Sequence, residues 1–412
     1  MMNKKPSLLA PAGSMRALET ALRFGADAVY LGAKAYGLRA QAQNFDEAQL
    51  ARAVEMAHAR GAQVNLTLNI FAFDGDLPGM VKTARAAQEI GVDAAIVSDL
   101  GAISRLRREV PKLDIHVSTQ ASTTNSETAR VYKAMGASRV VLAREMTMTQ
   151  IEAMARELGD EIELETFIHG AVCMSYSGRC MLSSFLNSRS ANRGACSQPC
   201  RWTYALVERT RPDEYLPIEE GARGTAILSS RDMCMMEHLP RLMESGVCCF
   251  KVEGRMKNEL YIGTIIGSYR RAMDAYAADP AAYIRNSALQ KQLRAELDKV
   301  SHRVYDTGFY FGQPEVCGEA VGTQQEAEYM GFVHAVSGGE ALVEMKNRFF
   351  VGDELETVTP AGSEKLVVAD IVIDATGEHV GVVSVPQQMV RIPCGDKLSA
   401  GDMLRGPVRN RK

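Results

Sequence analysis

Acidic residues are missing from one long stretch of this chain. Between Thr166 and Val207 there is no Asp or Glu, while Arg179, Arg189, Arg193 and Arg201 remain. Other absences are chain-wide. No window approaches the roughly 18 uncharged apolar residues of a membrane helix, so no membrane partner is expected. The start, MMNKKPSLLAPAGS, has two lysines and no apolar run behind them, unlike a secretory signal, which makes a reducing cytoplasm the expected location. Neither sign of charge dominates: the formal net charge is −3, which excludes a chain coated in basic residues but not a local basic patch. HExxH, GxSxG, GxxxxGKS/T and CxxxCxxC do not occur, and no GxGxxG follows the first apolar run. Classical hydrolases, NTPases and dinucleotide-binding folds lose weight accordingly. Tryptophan occurs once, at Trp202.

What is present is alternation. Eight strand-length apolar runs (SLLAPAG, DAVYLGAK, QVNLTLNI, DAAIVSDL, DIHVSTQ, RVVLARE, IELETFIHG and CCFKVEGR) are separated by helical patterns within about 255 residues. Most are rich in β-branched residues, as buried parallel strands should be. Asp46 is placed to cap a helix with Leu50, Val54 and Ala57 on one face, Pro111 ends a helix begun near Asp99, and TQIE at 149–152 reads as a capping box. Eight such units predict a TIM-type (β/α)8 barrel rather than an open doubly wound sheet. The connection between the seventh and eighth runs holds about 75 residues, far beyond an ordinary loop. It leaves the strand end where barrel enzymes do chemistry. The expected domains are a barrel over 1–300, including a Cys-rich insertion at 170–246; a connector at 301–327; and a small C-terminal β-barrel over 328–412, where short strands alternate with Gly, Asp and Pro turns. Asn258 to Val300 reads as one long helical region.

The chain has nine cysteines, which in a reducing compartment are expected as thiols or metal ligands. Cys248, Cys249 and Cys394 read as core, and Cys317 sits in the connector. Cys173, Cys180, Cys196 and Cys200 differ. They fall within 28 residues in a segment rich in Gly, Ser, Asn and Arg, where no apolar periodicity would bury them one by one. Four thiolates converging on one point suit zinc or an iron–sulfur cluster. Structural zinc usually shows two CxxC knuckles, whereas the closest pair here is CxxxC, which tilts the reading toward a cluster. Cys234 is an alternative fourth ligand, or a core residue. The acid-free arginines read either as solvated or as a positive field for a phosphate-bearing substrate. Tyr176 and Trp202 read either as base-stacking groups or as a local core.

In a barrel, polar residues ending the strands converge at the mouth: Asn69, Asp99, Gln120, Arg144, Glu145, Glu165, His169, Glu253 and Arg255. Burying so many needs partners or a ligand. His169, Glu145, Glu165 and Glu253 are the candidate acid/base groups. Arg144, Arg255, Gln120 and Asn69, with Arg179 and Arg193 from the insertion, are the candidate substrate-binding groups. Arginines there suit a small dicarboxylate. The structural alternative is a set of ion pairs across the mouth, such as Arg144 with Glu253.

LLAPAGS, GADAVYLG, ETFIHGAVCMSYSGRCMLSS, RGACSQPCR and FKVEGRMK together resemble the peptidase U32 family, in order along nearly the whole chain. The family was named for collagenase-like proteases. Its members include a prephenate-dependent tRNA uridine hydroxylase, which makes 5-hydroxyuridine at the wobble position, a relative acting on cytidine in 23S ribosomal RNA, and a pair acting in anaerobic ubiquinone synthesis. The resemblance implies a 4Fe–4S cluster on the cysteine motif, with Cys200 or Cys234 as fourth ligand and zinc as the alternative. It also implies prephenate as co-substrate and the tRNA anticodon loop as partner, the length and single C-terminal domain being most like the tRNA enzyme. The competing expectations are a metal-dependent peptidase, ribosomal RNA hydroxylation, and an RNA-binding protein with a structural metal.

Overall fold

The computed structural model describes residues 5–39, 42–202, 230–314 and 323–409. Its first part holds strands β1 (Ser7–Pro11), β2 (Ala28–Gly32), β3 (Gln63–Leu68), β4 (Ala94–Val97), β5 (Asp114–Val117), β6 (Arg139–Val141), β7 (Glu163–Ala171), β8 (Asp232–Cys234) and β9 (Cys249–Val252). All except β8 fall on the eight apolar runs. Each of these pairs in parallel with the next, β7 pairs with β9, and β9 returns to β1 through Ser7–Cys249 and Leu9–Lys251, so eight parallel strands close a barrel. Burial explains the closure: every residue of β2 and β4 is buried, as strands between a packed interior and a helical layer must be.

The helices carry their predicted signals with small shifts. Asp46 and Gln49 form a capping box on Glu47–His58, whose Leu50, Val54 and Ala57 are buried. The second box lies two residues before TQIE. Thr147 and Gln150 make it, because the buried Met148 and Ile151 set the core face of Met148–Leu158 one half-turn earlier. The expected long helical region after β9 consists of three helices, Glu259–Ala278, Pro280–Arg285 and Ser287–Asp298. Asp279, before a proline, and Asn286 leave the helical region, and each caps the helix that starts after it.

The long connection adds a feature absent from the sequence reading. β8 runs antiparallel to the end of β7, pairing Cys234 with His169 and Asp232 with Ala171, and parallel to β10 (Tyr305–Asp306). The expected connector therefore extends the barrel wall, and Tyr310 donates from its buried hydroxyl to the Phe167 carbonyl. Positions 203–229 of the insertion, and 315–322 with Cys317, lie outside the described residues.

The C-terminal part holds β11 (Ala327–Ser337), β12 (Glu340–Met345), β13 (Phe349–Phe350), β14 (Glu354–Val358), β15 (Lys365–Val367), β16 (Val372–Ile373), β17 (Val382–Val383), β18 (Met389–Pro393) and β19 (Met403–Pro407). Seven of them form an antiparallel sheet in the order β15-β14-β19-β11-β12-β18-β16, and β13 pairs with β17. The sheet wraps its own core of Met330, Val333, Val343, Leu355, Ile371, Val390 and Leu404. Phe332, Val358 and Met403 instead join the barrel core. The seam is also ionic: Arg23 meets Asp402 at 2.6 Å, Arg16 meets Glu344 at 2.9 Å, and Arg405 meets Glu296 at 2.7 Å.

Candidate active site

At the C-terminal ends of the barrel strands the long connection folds back and covers a cavity of about 300 Å³. Its walls combine Asn69, Gln120, Arg144, Glu253 and Arg255 from the strand ends with Cys173, Cys180, Cys196 and Cys200 from the connection. Arg144 donates to the Ala171 carbonyl at 2.7 Å and to Glu253 at 3.3 Å, and lies 3.9 Å over the Phe167 ring. Arg39 reaches the other Glu253 oxygen at 3.5 Å. Burial pushes the Glu253 carboxyl up, but Arg39, Arg144, Lys251 and Arg255 outweigh it and hold it below its ordinary value. Arg255 donates to Thr67 at 3.0 Å and to Asn44. Gly32 makes room for it: a Cβ there would stand 2.2 Å from the Arg255 guanidinium.

Several polar atoms at this mouth have no partner among the described residues. Asn69 Oδ1, Gln120 Oε1 and Arg255 Nε are all buried and unpaired. Unpaired buried polar atoms are costly, so their convergence on one cavity marks a place that a polar ligand or water fills.

Other candidates are held elsewhere. His169 is turned out of the barrel by the irregularity between Phe167 and His169 where β7 meets β9. It sits beneath Glu259–Ala278, with its ring nitrogens 3.4 Å from the Tyr269 hydroxyl and 3.3 Å from that of Tyr305. Burial, then His302, Arg294 and Lys257, lower its pKa well below the ordinary value, so it is neutral at pH 7 and does not face the cavity. Glu165 lies in the barrel interior, fully buried, 2.8 Å from Lys251 and 3.3 Å from Arg139. Burial opposes its charge, yet these cations bring its pKa to about 2, which makes it a structural anion rather than a proton donor. Glu145 accepts from the Ser177 amide and hydroxyl at 2.5 and 2.6 Å and so pins the turn where Ser177 has φ +45°. Asp99 caps the helix Leu100–Glu109. Arg179 donates to the Gln120 carbonyl at 2.7 Å, and Arg193 clamps Asp76 at 2.7 and 3.0 Å. Both strap the connection to the barrel and do not line the cavity. Cys234 pairs across from His169 on β8, is buried, and has its thiol pushed up to about 11 by that burial. It faces away from the other cysteines' cavity.

The four lining thiols fit an iron–sulfur cluster in donor chemistry. They come without competing carboxylate or imidazole donors from their own segment. The Leu182 amide donates to Cys180 Sγ and the Gln198 amide to Cys196 Sγ, each at 3.3 Å, and such N–H···S bonds favour the thiolate and orient ligands. Burial raises the Cys200 pKa, Arg201 opposes this, and Cys173, Cys196 and Cys180 add to the rise, so the four sulfurs feel one another. Among the described residues no group of three His, Cys, Asp or Glu side chains is already arranged to hold an ion. Metal binding commonly completes such ligand sets.

Sequence reasoning missed Lys251, Tyr30 and Arg39. Lys251 lines the cavity floor, 2.8 Å from Glu165 and 4.6 Å over the Tyr30 ring. It is the only charged residue in CCFKV and two positions before Glu253, so strand periodicity could have placed both on the inner face. Arg39, in the loop after β2, gave no such signal.

A model of "Peptidase family U32" matches residues 13–319. The chain belongs to the peptidase family U32. A model of the U32 C-terminal domain matches residues 325–405, which contain most of the β-rich part. Among U32 relatives, tRNA hydroxylation protein P1 of Bacillus subtilis is 35% identical over 98% of this chain and 96% of its own length. The 23S rRNA 5-hydroxycytidine C2501 synthase of Escherichia coli is 31% identical over 87% of this chain but only 55% of its own length. A collagenase of Porphyromonas gingivalis is 29% identical over 98% of this chain and 95% of its own length. No helix among the described residues is long and apolar enough to cross a membrane.

Proposed function

We propose that this U32 chain is an RNA hydroxylase that converts C5–H of a pyrimidine to C5–OH, acting on the wobble uridine of tRNA with prephenate as co-substrate. One observation carries the reading: four cysteines and an excess of strand-end cations line the same cavity. Cys173, Cys180, Cys196 and Cys200 would hold a 4Fe–4S cluster, which would supply one-electron transfer beside the bound base. Arg144, Arg255, Arg39 and Lys251 would bind the carboxylates of the small molecule, and Asn69 and Gln120 offer their unpaired amide atoms to the base. The pyrimidine must leave its stack to enter, which is cheap in an anticodon loop.

The choice of tRNA over ribosomal RNA rests on extent, since this chain spans nearly all of the tRNA relative and about half of the ribosomal one. A peptidase reading finds less support in the cavity: among the described residues no histidine lines it, and its one carboxylate, Glu253, is held by two arginines. Deleting the gene and measuring tRNA nucleosides by mass spectrometry tests the proposal; loss of 5-hydroxyuridine is expected, and unchanged 5-hydroxyuridine would refute the tRNA assignment. Anaerobically purified protein should be brown, with absorbance near roughly 400 nm from thiolate–iron charge transfer. Serine at any of the four lining cysteines should remove most of the iron, whereas Cys234→Ala should keep it.

A further inference from the structure

The connection that covers the cavity exposes apolar side chains that a soluble loop has no reason to show. Phe185 on the short helix Leu182–Asn187 is 80% exposed, Tyr176 is 53% exposed and Trp202 is 42% exposed. A single exposed apolar residue needs no explanation, but a cluster of them in one short segment marks an interaction surface. The same segment contributes Arg189 and Arg201. Among the described residues each makes its side-chain hydrogen bond to a neutral partner, the Ala195 carbonyl and Gln198 Oε1 respectively, and neither forms an ion pair, although Arg201 feels the Asp232 carboxylate at longer range. The segment from Thr166 to Val207 supplies no Asp or Glu of its own.

Aromatic rings interleaved with arginines outside any described ion pair, in the segment whose cysteines line the cavity, are the composition that binds unpaired nucleotides. The rings stack on base faces without regard to sequence, and the charges follow the phosphates. We infer that Tyr176, Phe185 and Trp202, with Arg189 and Arg201, form a stacking platform for single-stranded RNA, holding the nucleotides that flank the base delivered to the cavity. This deepens the RNA hydroxylase reading and rests on it. Charge complementarity selects RNA over an apolar protein partner. Among the described residues, the connection is strapped to the barrel by side chains other than these rings, including Glu145 on Ser177, Arg179 on Gln120 and Arg193 on Asp76.

The test uses the full-length, anaerobically purified protein and a fluorescein-labelled oligouridylate of about 12 nucleotides, within the site size of single-strand binders, read by fluorescence anisotropy across a salt series. Phe185→Ala and Tyr176→Ala remove exposed rings that line no part of the cavity, so iron content and thermal unfolding should match the unsubstituted protein. Each should weaken binding by roughly 5-fold or more without changing the salt slope. Arg189→Ala should reduce that slope by about one counterion. Affinity within about 2-fold of the unsubstituted protein in both ring variants, well short of the loss of a stacked base, would overturn the platform while leaving the hydroxylase reading to the nucleoside measurement. No binding of the oligonucleotide by the unsubstituted protein would overturn the platform as well, and would count against the hydroxylase reading itself. A change in oligomeric state, or in co-sedimentation with anionic phosphatidylserine vesicles, on Phe185→Ala with RNA affinity unchanged would overturn it in favour of a protein or membrane surface.

Discussion

Two ionic clusters in this molecule use the same residue types and differ in how completely they are matched. At the domain seam, Arg405 is fully buried between Glu296 and Glu356, each at 2.7 Å, and Lys299 reaches Glu356 at 2.8 Å. Two cations meet two carboxylates, and Ser363 joins through the Arg405 guanidinium. At the barrel mouth, Arg39, Arg144 and Arg255 gather around Glu253, with Lys251 below. Cations outnumber carboxylates there, and Asn69, Gln120 and Arg255 keep unpaired atoms. A cluster whose charges are matched is neutral without a ligand, even though Arg405 Nη1 is itself left unpaired among the described residues. An unmatched one retains the electrostatic capacity to bind one, at a cost in self-repulsion that the fold carries.

The sharpest way to break this contrast is at the seam. Arg405→Ala should cost about 3–5 kcal/mol in chemical denaturation, because it strands Glu296 and Glu356 partly buried without their cation. If the loss were under about 1 kcal/mol, the range of an exposed pair, the seam would not be the matched structural cluster described. The next largest effect belongs to the mouth. Arg144→Ala should cost less stability than the seam variant, because Arg39, Lys251 and Arg255 still hold Glu253, but should lower kcat/KM for the proposed anionic co-substrate by about 10- to 100-fold, the weight of a charged hydrogen bond. A variant that loses stability instead of activity would make Arg144 another structural pair.

The contrast also explains what the sequence could and could not reveal. All eight barrel strands were legible because buried parallel strands are continuous apolar runs, and Asp46 announced its helix because a cap is a local event. Cys173, Cys180, Cys196 and Cys200 were legible as a group because they stand apart from any apolar period. Whether a polar strand-end residue faces the cavity was not legible where the backbone departs from strict alternation. The irregularity near His169 reverses its side chain, and Gly170 with φ +103°, packed against the Glu253 carbonyl, accommodates it. Glu145, Arg179 and Arg193 lie near the mouth as expected, but their partners are Ser177, Gln120 and Asp76, set by the path of a long connection that no local pattern encodes.

Glu253→Gln probes the mouth from its acidic side. The folded Glu253 ionises more readily than its ordinary value of 4.5. Its contribution to stability is therefore full above that value and fades as the pH falls through and below it. The glutamine variant should lose about 1–2 kcal/mol at pH 7 and show a flatter decline between about pH 5 and pH 3. It should also bind a dicarboxylate more tightly, because an anion that competes for Arg39 and Arg144 is gone. An unchanged acid limb in urea denaturation would show that Glu253 is not held by those arginines.

Lys299→Met gives the smallest effect and refines the meaning of a matched cluster. Lys299 and Glu356 are 23% and 36% exposed, whereas Arg405 is fully buried. Water screens the outer pair, and Arg405 still serves Glu356 when Lys299 is gone, so the loss should be about 0.5 kcal/mol and should shrink further in high salt. Combining Lys299→Met with Arg405→Ala should give more than the sum of the two, since each cation still serves Glu356 when only the other is removed. Strict additivity in that double-mutant cycle would mean that the two cations stabilise the seam independently, and that matching of charge is not what holds the two domains together.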